Sequence, residues 1–356
     1  MQNRTFAMPP LFRFARLLLA GLCSSLMLAP AQAKLVEMAD GELSAVTGQA
    51  FLNLTTDAYN GMNFTRLNFG MDVEAQLNMK KLQLGLYPRT GEVAGSADID
   101  INNFALGSVN DTTGQINPFL IKNPFLELAY KDNKIVGMRL GFGEAQGHLS
   151  GDINRITGNI AVDIYGQGRV LAQNMNCGLF EVDCWGAKGL LTLGGPFGWA
   201  DNNFQASAQL VNGSGDADPA RATMIGLVNG QSLSMPDDGA IANWLLTIFK
   251  SGNCELLGAS TCFPLANYGS FPIGQLNPST QQFTEAAKGV FLSMQTQDMQ
   301  WRDQQDAAKF VAALAGAFMN LPRNADGTAA ITTSFQEAFD GIPRVDTCLG
   351  SATKGC

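Results

Sequence analysis

One histidine, His148, serves the whole 356-residue chain, and that scarcity removes most familiar hydrolytic machinery. A Ser-His-Asp or Cys-His centre would have to run through it. Its place between Gly147 and Leu149 in a predicted strand is that of a surface or half-buried residue. There is no P-loop, no HExxH and no G-x-G-x-x-G in a strand-to-helix setting. Charge is sparse as well, at 15% of residues against a typical ~25%. Beyond the first 33 residues no apolar run reaches the ~18 residues that a membrane helix needs. Five tyrosines and four tryptophans are few for the two aromatic girdles of an outer-membrane barrel. No catalytic residue and no cofactor is therefore assigned. A glycosidase-type carboxylate pair stays open because any two acids can meet in space, but nothing in the sequence selects one.

What the chain has in excess is glycine, 39 residues, together with long apolar/polar alternation. From Leu67 to Met79 every second residue is apolar, which predicts one long strand, with a bulge or turn at Lys80-Lys81 and resumption at Leu82, Leu84 and Leu86. Between Val136 and Ile164 the pattern recurs. Val136, Met138, Leu140 and Phe142 read as the buried face, with Gly137, Gly141 and Gly143 beside Arg139 on a face that a neighbouring backbone or large side chain can approach. Glycines at 147, 151 and 158 divide this stretch into two or three predicted antiparallel strands. Lys131-Asp132-Asn133-Lys134 between two apolar runs predicts a hairpin. A strand is expected at Leu190 to Leu193, and helices over Ala240 to Lys250, capped by Asp238, and over Asp306 to Leu321. The tryptophans at 185, 199, 244 and 301 read as core or hairpin packing. The fold class is thus all-β dominated: a large antiparallel sheet, as a sandwich, roll or barrel-like form, with one to three short helices.

Residues 1–33 read as a signal peptide, with Arg4, Arg13 and Arg16, an apolar run from Leu17 and an Ala31-Gln32-Ala33 cleavage site. Its removal takes three basic residues from a chain of net charge −8, leaving −11, which repels nucleic acid and anionic headgroups. Residues 34–52 form an acidic segment expected as a short helix or plug, and 53–356 a single β-rich domain with a sub-boundary suggested near 235–240. The six remaining cysteines fall into three local pairs, Cys177 with Cys184, Cys254 with Cys262 and Cys348 with Cys356. None has C-x₂-C spacing, so in an exported chain they are expected as disulfides and not as zinc ligands. No metal is assigned; Asp216 and Asp218, in the Gly213 to Asp218 loop, and the Asp98-Ile99-Asp100 alternation could offer oxygens to calcium, without the spacing of an EF-hand.

The segments "ELSAVTGQA", "NPFLELAYKDNKIVGMRLGFGEAQGHLSGDINRITGNIAVDI" and "FMNLPRNADG" through to the closing "FQEAFDGIPRVDTCLGSATKGC" resemble exported proteins ascribed to a pilus system (Fil-type) of Gram-negative bacteria. That resemblance covers about half of the mature chain and transfers no catalytic residue. It implies an envelope or cell-surface component with a part in fimbrial assembly or adhesion. The first expectation is accordingly a non-catalytic exported protein of the periplasm, outer membrane or cell surface. It would act through partners of an envelope or pilus system by presenting a sheet edge, without nucleic acid and without needing a helical anchor for any membrane association. The alternatives are an outer-membrane β-barrel or periplasmic lipid-handling protein, and a hydrolase with a carboxylate pair.

Overall fold

A computed structural model describes residues 52–193, 199–236, 240–277 and 280–348. The expected leader, nearly all of the 34–52 segment, Asp238 and Cys356 lie outside the described residues. The first strands are β1 (Leu52–Tyr59), β2 (Met62–Phe69), β3 (Asp72–Ala75), β4 (Leu77–Leu86) and β5 (Ala97–Leu106). A small hairpin follows, β6 (Ser108–Asn110) with β7 (Gln115–Asn117), and then β8 (Phe119–Lys131) and β9 (Lys134–Ile156). Next come β10 (Gly158–Ile160), β11 (Val162–Gln167), helices α1 (Gly168–Gln173) and α2 (Val182–Leu193), β12 (Asn203–Val211), β13 (Met224–Gly226) and α3 (Ala240–Leu246). The remainder holds β14 (Glu255–Leu256), β15 (Ala259–Ser260), β16 (Cys262–Pro264), β17 (Ser270–Ile273), β18 (Gln275–Asn277), β19 (Gln282–Glu285) and β20 (Ala287–Lys288). It ends with β21 (Phe291–Gln295), β22 (Met299–Arg302), β23 (Phe310–Ala313), β24 (Gly316–Leu321), β25 (Ile331–Ser334) and α4 (Phe335–Asp340).

The fold is β-dominated, as its alternation predicts, and β9 is its spine. Its first half pairs with β8 and its second half with β5, while β21, β20 and β17 line its other edge in succession. One strand thus runs through both portions of the sheet. Gly147 at φ 135° and Gly151 at φ 153° sit where it passes from β8 to β5, a backbone region that other residues adopt only under strain. The expected two or three antiparallel strands are therefore one 23-residue strand followed by β10 and β11. Those two pair in parallel with β24 and β25, so the sheet is mixed and not purely antiparallel. It does not close into a barrel: among the described residues β1 pairs only with β2, and β4 only with β5.

The hairpin forms as expected, with Asp132 at φ 50° and Asn133 at φ 60°, the two left-handed positions of a type I′ turn. The long strand expected from Leu67 to Met79 is instead divided among β2, β3 and β4. β2 and β3 both lie on β8 but differ by one residue in register, the step falling where Asn123 takes φ 47°, and β4 leaves to pair with β5. A ladder that changes partner cannot remain one strand.

Two further expectations are overturned. The apolar run Leu190 to Leu193 is the last turn of α2, because Cys184, Ala187 and Leu191 recur at helical spacing and bury together. Asp306 to Leu321 holds no helix but strands β23 and β24: β23 pairs with β22, and β24 is gripped by β21 on one side and β10 on the other. Gly316 at φ 99° separates them and bars a continuous helix. Alanine's helical preference, a few tenths of a kcal/mol per residue, yields to that cross-strand pairing.

The main core gathers Ile99, Ile101, Ile153, Ile156, Ile160 and Phe204, each at most 2% exposed. Burying each such side chain contributes about 1.5–3 kcal/mol. A second, smaller core holds Phe64, Phe291, Phe318 and Trp301. Disulfides join Cys177 to Cys184 and Cys254 to Cys262, and Cys348 is also disulfide-bonded. Bonds of this kind persist in oxidising compartments, so the chain is an exported one.

Candidate functional site

On β9 the expected faces are reversed. Leu140 stands 42% exposed, whereas Arg139 is wholly buried with Gly137 and Gly141 beside it. Arg139 Nε donates to Glu127 Oε2 at 2.7 Å and Nη1 to the Arg302 carbonyl at 2.9 Å. The guanidinium lies 5.0–5.2 Å from the ring centres of Trp301, Phe291 and Phe125. Glu127 takes a second cation, Arg66 Nε at 3.1 Å. The two glycines make this possible, since a Cβ at Gly137 would lie 2.7 Å from Met299 Sδ and one at Gly141 would enter the Phe125 ring. Burial lowers the pKa of Arg139, with Glu127 opposing that fall.

A second ionic cluster surrounds Asp98. Its Oδ1 accepts from Arg221 Nε at 2.9 Å and Arg89 Nη2 at 3.3 Å, and its Oδ2 from the Ala317 amide at 2.9 Å. Asp163 is held likewise, by Arg323 at 2.7 Å and the Ala329 amide at 3.0 Å. Each of these three carboxylates is engaged by arginine, two of them also by a backbone amide, an arrangement that ties strands together. Sequence reading missed all three clusters, because sequence alone does not show which strands place these residues side by side; Arg221 lies 123 residues from Asp98, while Arg139 lies 12 from Glu127.

The expected calcium donors are hydrogen-bonded by other residues of the chain. Asp216 accepts from Asn229 Nδ2 at 2.8 Å and Asp218 from the Ala220 amide at 3.2 Å. Asp98 is buried as above, and Asp100 accepts from Gln83 and Asn154. His148 is half-buried on β9 with its ring edge-on to Phe283 at 5.3 Å, and desolvation lowers its pKa. A polar cleft of about 630 Å³ has Asp303, Asp306, Lys309 and Arg323 in its wall. Asp303 and Asp306 cap amides of their own turn there, at 2.7 Å to Gln305 and 3.0 Å to Ala308. The Ala308 amide and Lys309 hold Asp306 below the usual carboxylate range, the opposite of what a general acid needs.

Two surface features stand apart from this inward-turned chemistry. The first is the edge of β1. Leu52 and Leu54 are 53% and 65% exposed. The strand's one charged residue, Asp57, is neutralised by Arg302 Nε at 2.8 Å, and the Arg302 amide donates to Tyr59 Oη at 3.0 Å. Tyr59 stacks on Phe64 at 3.9 Å, and burial pushes its phenol up to about 12. The second edge, β4, carries Lys80 and Lys81, and its neighbourhood is partly covered where Asn78 Nδ2 donates to the Thr347 carbonyl at 3.1 Å.

The second feature is an apolar pocket of about 470 Å³ walled by α1, α2 and the segments around Leu246 and Leu256. Val182 and Leu190 of α2 and Ile248 line it while standing exposed. Leu179 and Phe180, in the loop closed by the Cys177–Cys184 disulfide, are more than 90% exposed, and Trp244 of α3 is 64% exposed. Trp199 and Trp301 are buried as expected, but Trp185 and Trp244 are not core residues. Both stand on short helices, Trp185 on α2 and Trp244 on α3. Comparison with protein-family models, curated proteins and solved structures finds no match.

Proposed function

We propose that this is a non-catalytic component of the cell envelope, acting in the periplasm, outer membrane or at the cell surface by accepting a strand from a partner protein along β1. The observation that carries this reading is that, among the described residues, no strand pairs with the outer edge of β1. Natural sheets protect exposed edges with lysine, proline, bulges or a covering segment, because unpaired N–H and C=O groups recruit other strands. β1 is eight residues long, has no lysine or proline, and its one charge is tied down by Arg302. β4 carries the two lysines that β1 lacks. Strand addition takes its affinity from main-chain hydrogen bonds and its specificity from alternate side-chain contacts, so it asks for no reactive side chain. The arginine-paired carboxylates and the half-buried sole histidine fit that division of labour. The segments resembling pilus-system proteins agree with an assembly partner.

The test is photo-crosslinking in intact cells from a benzophenone amino acid at position 54, with position 93 as control, since Val93 is equally exposed at 64% but lies off the edge. A discrete protein adduct from 54 and none from 93 is expected. Folded, exported protein that yields no adduct from 54, or the same ladder from both, would overturn the reading.

A further inference from the structure

We propose that the pocket beside α2 is a binding site for a single acyl chain of a lipid with a neutral or zwitterionic headgroup, a function separate from the β1 edge. Its volume of about 470 Å³ lies within the ~300–1,000 Å³ of small-molecule sites. Apart from Asp183 and Gly186 the wall is aliphatic and aromatic: Leu171 on α1, Leu191 on α2 and Leu246 on α3, with Met175, Phe204 and Leu256 beside them. An apolar ligand is what such a wall selects.

Residue 186 carries the inference further. Val182, Gly186 and Leu190 stand four residues apart on one face of α2, all lining the pocket. A glycine inside a helix costs about 1 kcal/mol relative to alanine, and here crowding does not demand one, because a Cβ at 186 would meet nothing within 4 Å. The glycine widens the opening at the centre of an otherwise apolar stripe. Charge then chooses among chain-bearing molecules. Asp183 is the one ionisable residue among those lining the pocket, and it is exposed, at the mouth. With a chain of net charge −8 behind it, that carboxylate opposes a free fatty acid or anionic headgroup and admits an ammonium-bearing or uncharged one. The exposed Val182, Leu190 and Ile248 extend the apolar wall outward, so a chain leaving a membrane surface stays partly shielded from water as it enters.

The experiment titrates the purified exported protein, disulfides intact, with lysophosphatidylcholines of increasing chain length, each below its micelle concentration. Calorimetry reads affinity and native mass spectrometry reads stoichiometry. One ligand per protein is expected, with affinity rising about fourfold per added methylene until the pocket is full. The fatty-acid anion of the same chain length should bind more weakly. Gly186→Phe, whose Cβ meets nothing within 4 Å, puts a ring into the opening and should lower affinity at least tenfold. Gly189→Phe, on the same helix with nothing within 4 Å of its Cβ and outside the pocket wall, should bind as wild type. Both variants lose a helical glycine, so a thermal melt at or above that of wild type separates a blocked pocket from a damaged fold. Affinity independent of chain length, equal binding by Gly186→Phe, or several ligands per protein would overturn the proposal. None of these outcomes touches the crosslinking test of β1.

Discussion

Arg139 and Glu127 meet across β9 and β8 with a 2.7 Å hydrogen bond, both side chains almost wholly withdrawn from water. The two are not equally replaceable. Without Arg139, Glu127 keeps Arg66 at 3.1 Å, a partner that reaches solvent. Without Glu127, Arg139 keeps only a carbonyl and ring faces. Removing one partner of a buried pair costs about 3–5 kcal/mol when the other is stranded. Glu127→Gln is therefore expected at that level in urea denaturation, and Arg139→Met clearly below it. Equal losses would show that Arg66 does not compensate.

Asp98 gives a sharper steric prediction. Gly85 on β4 and Gly316 at the start of β24 both face its carboxylate, and a Cβ at either would collide with Oδ2. Both also hold positive φ, at 68° and 99°. Gly316→Ala is thus opposed by backbone strain and by displacement of a carboxylate bound to Arg221 and the Ala317 amide. A loss above about 2 kcal/mol is expected. Gly114→Ala, at φ 74° with nothing nearby, should cost only the conformational share, about 1 kcal/mol. Chemical denaturation of both variants checks the difference.

What could be read along the chain was local. Asp132-Asn133 announces its turn by residue type alone, and the cysteine pairs at 177/184 and 254/262 announce theirs by spacing. The faces of β9 could not be read so. Alternation marks two faces, but which is buried depends on Glu127 and Trp301, twelve residues behind and far ahead of Arg139, and a buried arginine contradicts the rule that charge faces water. Phe310, Leu314 and Phe318 at spacing four satisfy a helical pattern equally well; only the ladder partners of Phe310 and Phe318 decide for strands. The apolar pocket was invisible for a related reason. Its wall draws on α1, α2 and the 246–257 region, and the exposure of Trp185 and Trp244 depends on what does not pack over them.

His148 gives the protein an acid-side dependence that can be assigned without ambiguity, since there is no other imidazole. Burial lowers its folded-state pKa below the ordinary ~6.5. Its contribution is fully present above that unfolded value and is lost as pH falls through the folded one, because the unfolded chain takes up the proton first. The stability difference between pH 7.5 and pH 5 should shrink in His148→Gln, with the remaining slope belonging to carboxylates. An unchanged slope would mean that the ring protonates freely beside Phe283.

The Cys254–Cys262 disulfide closes a short loop that carries β14 and β15 and delivers β16 to its pairing with β13. In the chain-entropy account a loop of this length contributes about 2.5 kcal/mol. Replacing both cysteines by alanine should lower unfolding free energy by about that amount. The loss should appear with little change in the denaturant slope if the native surface is otherwise kept. Cys177→Ala with Cys184→Ala should cost a similar amount and also loosen the Leu179-Phe180 loop, read as faster proteolytic nicking there.

The β1 edge can be given the guard it lacks. Leu52 and Leu54 project into solvent and contribute little to either core, so replacing both with lysine should change stability by no more than about 0.5 kcal/mol per site. The same change places two ammonium groups along the edge of β1 that pairs with no described strand, as Lys80 and Lys81 stand on β4. A strand arriving there would have to hold its own side chains against those charges. The double variant should therefore keep its melting temperature and lose the crosslinked adduct. Arg302→Ala should weaken the adduct by a different route: it releases Asp57 from its 2.8 Å ion pair and returns an uncompensated negative charge to the edge. Adding Asp57→Asn to Arg302→Ala should restore the adduct if edge charge governs acceptance. If the adduct stays lost, the packing of Arg302 on Tyr59 and Phe310, at 4.8 and 5.7 Å, holds β1 in place instead.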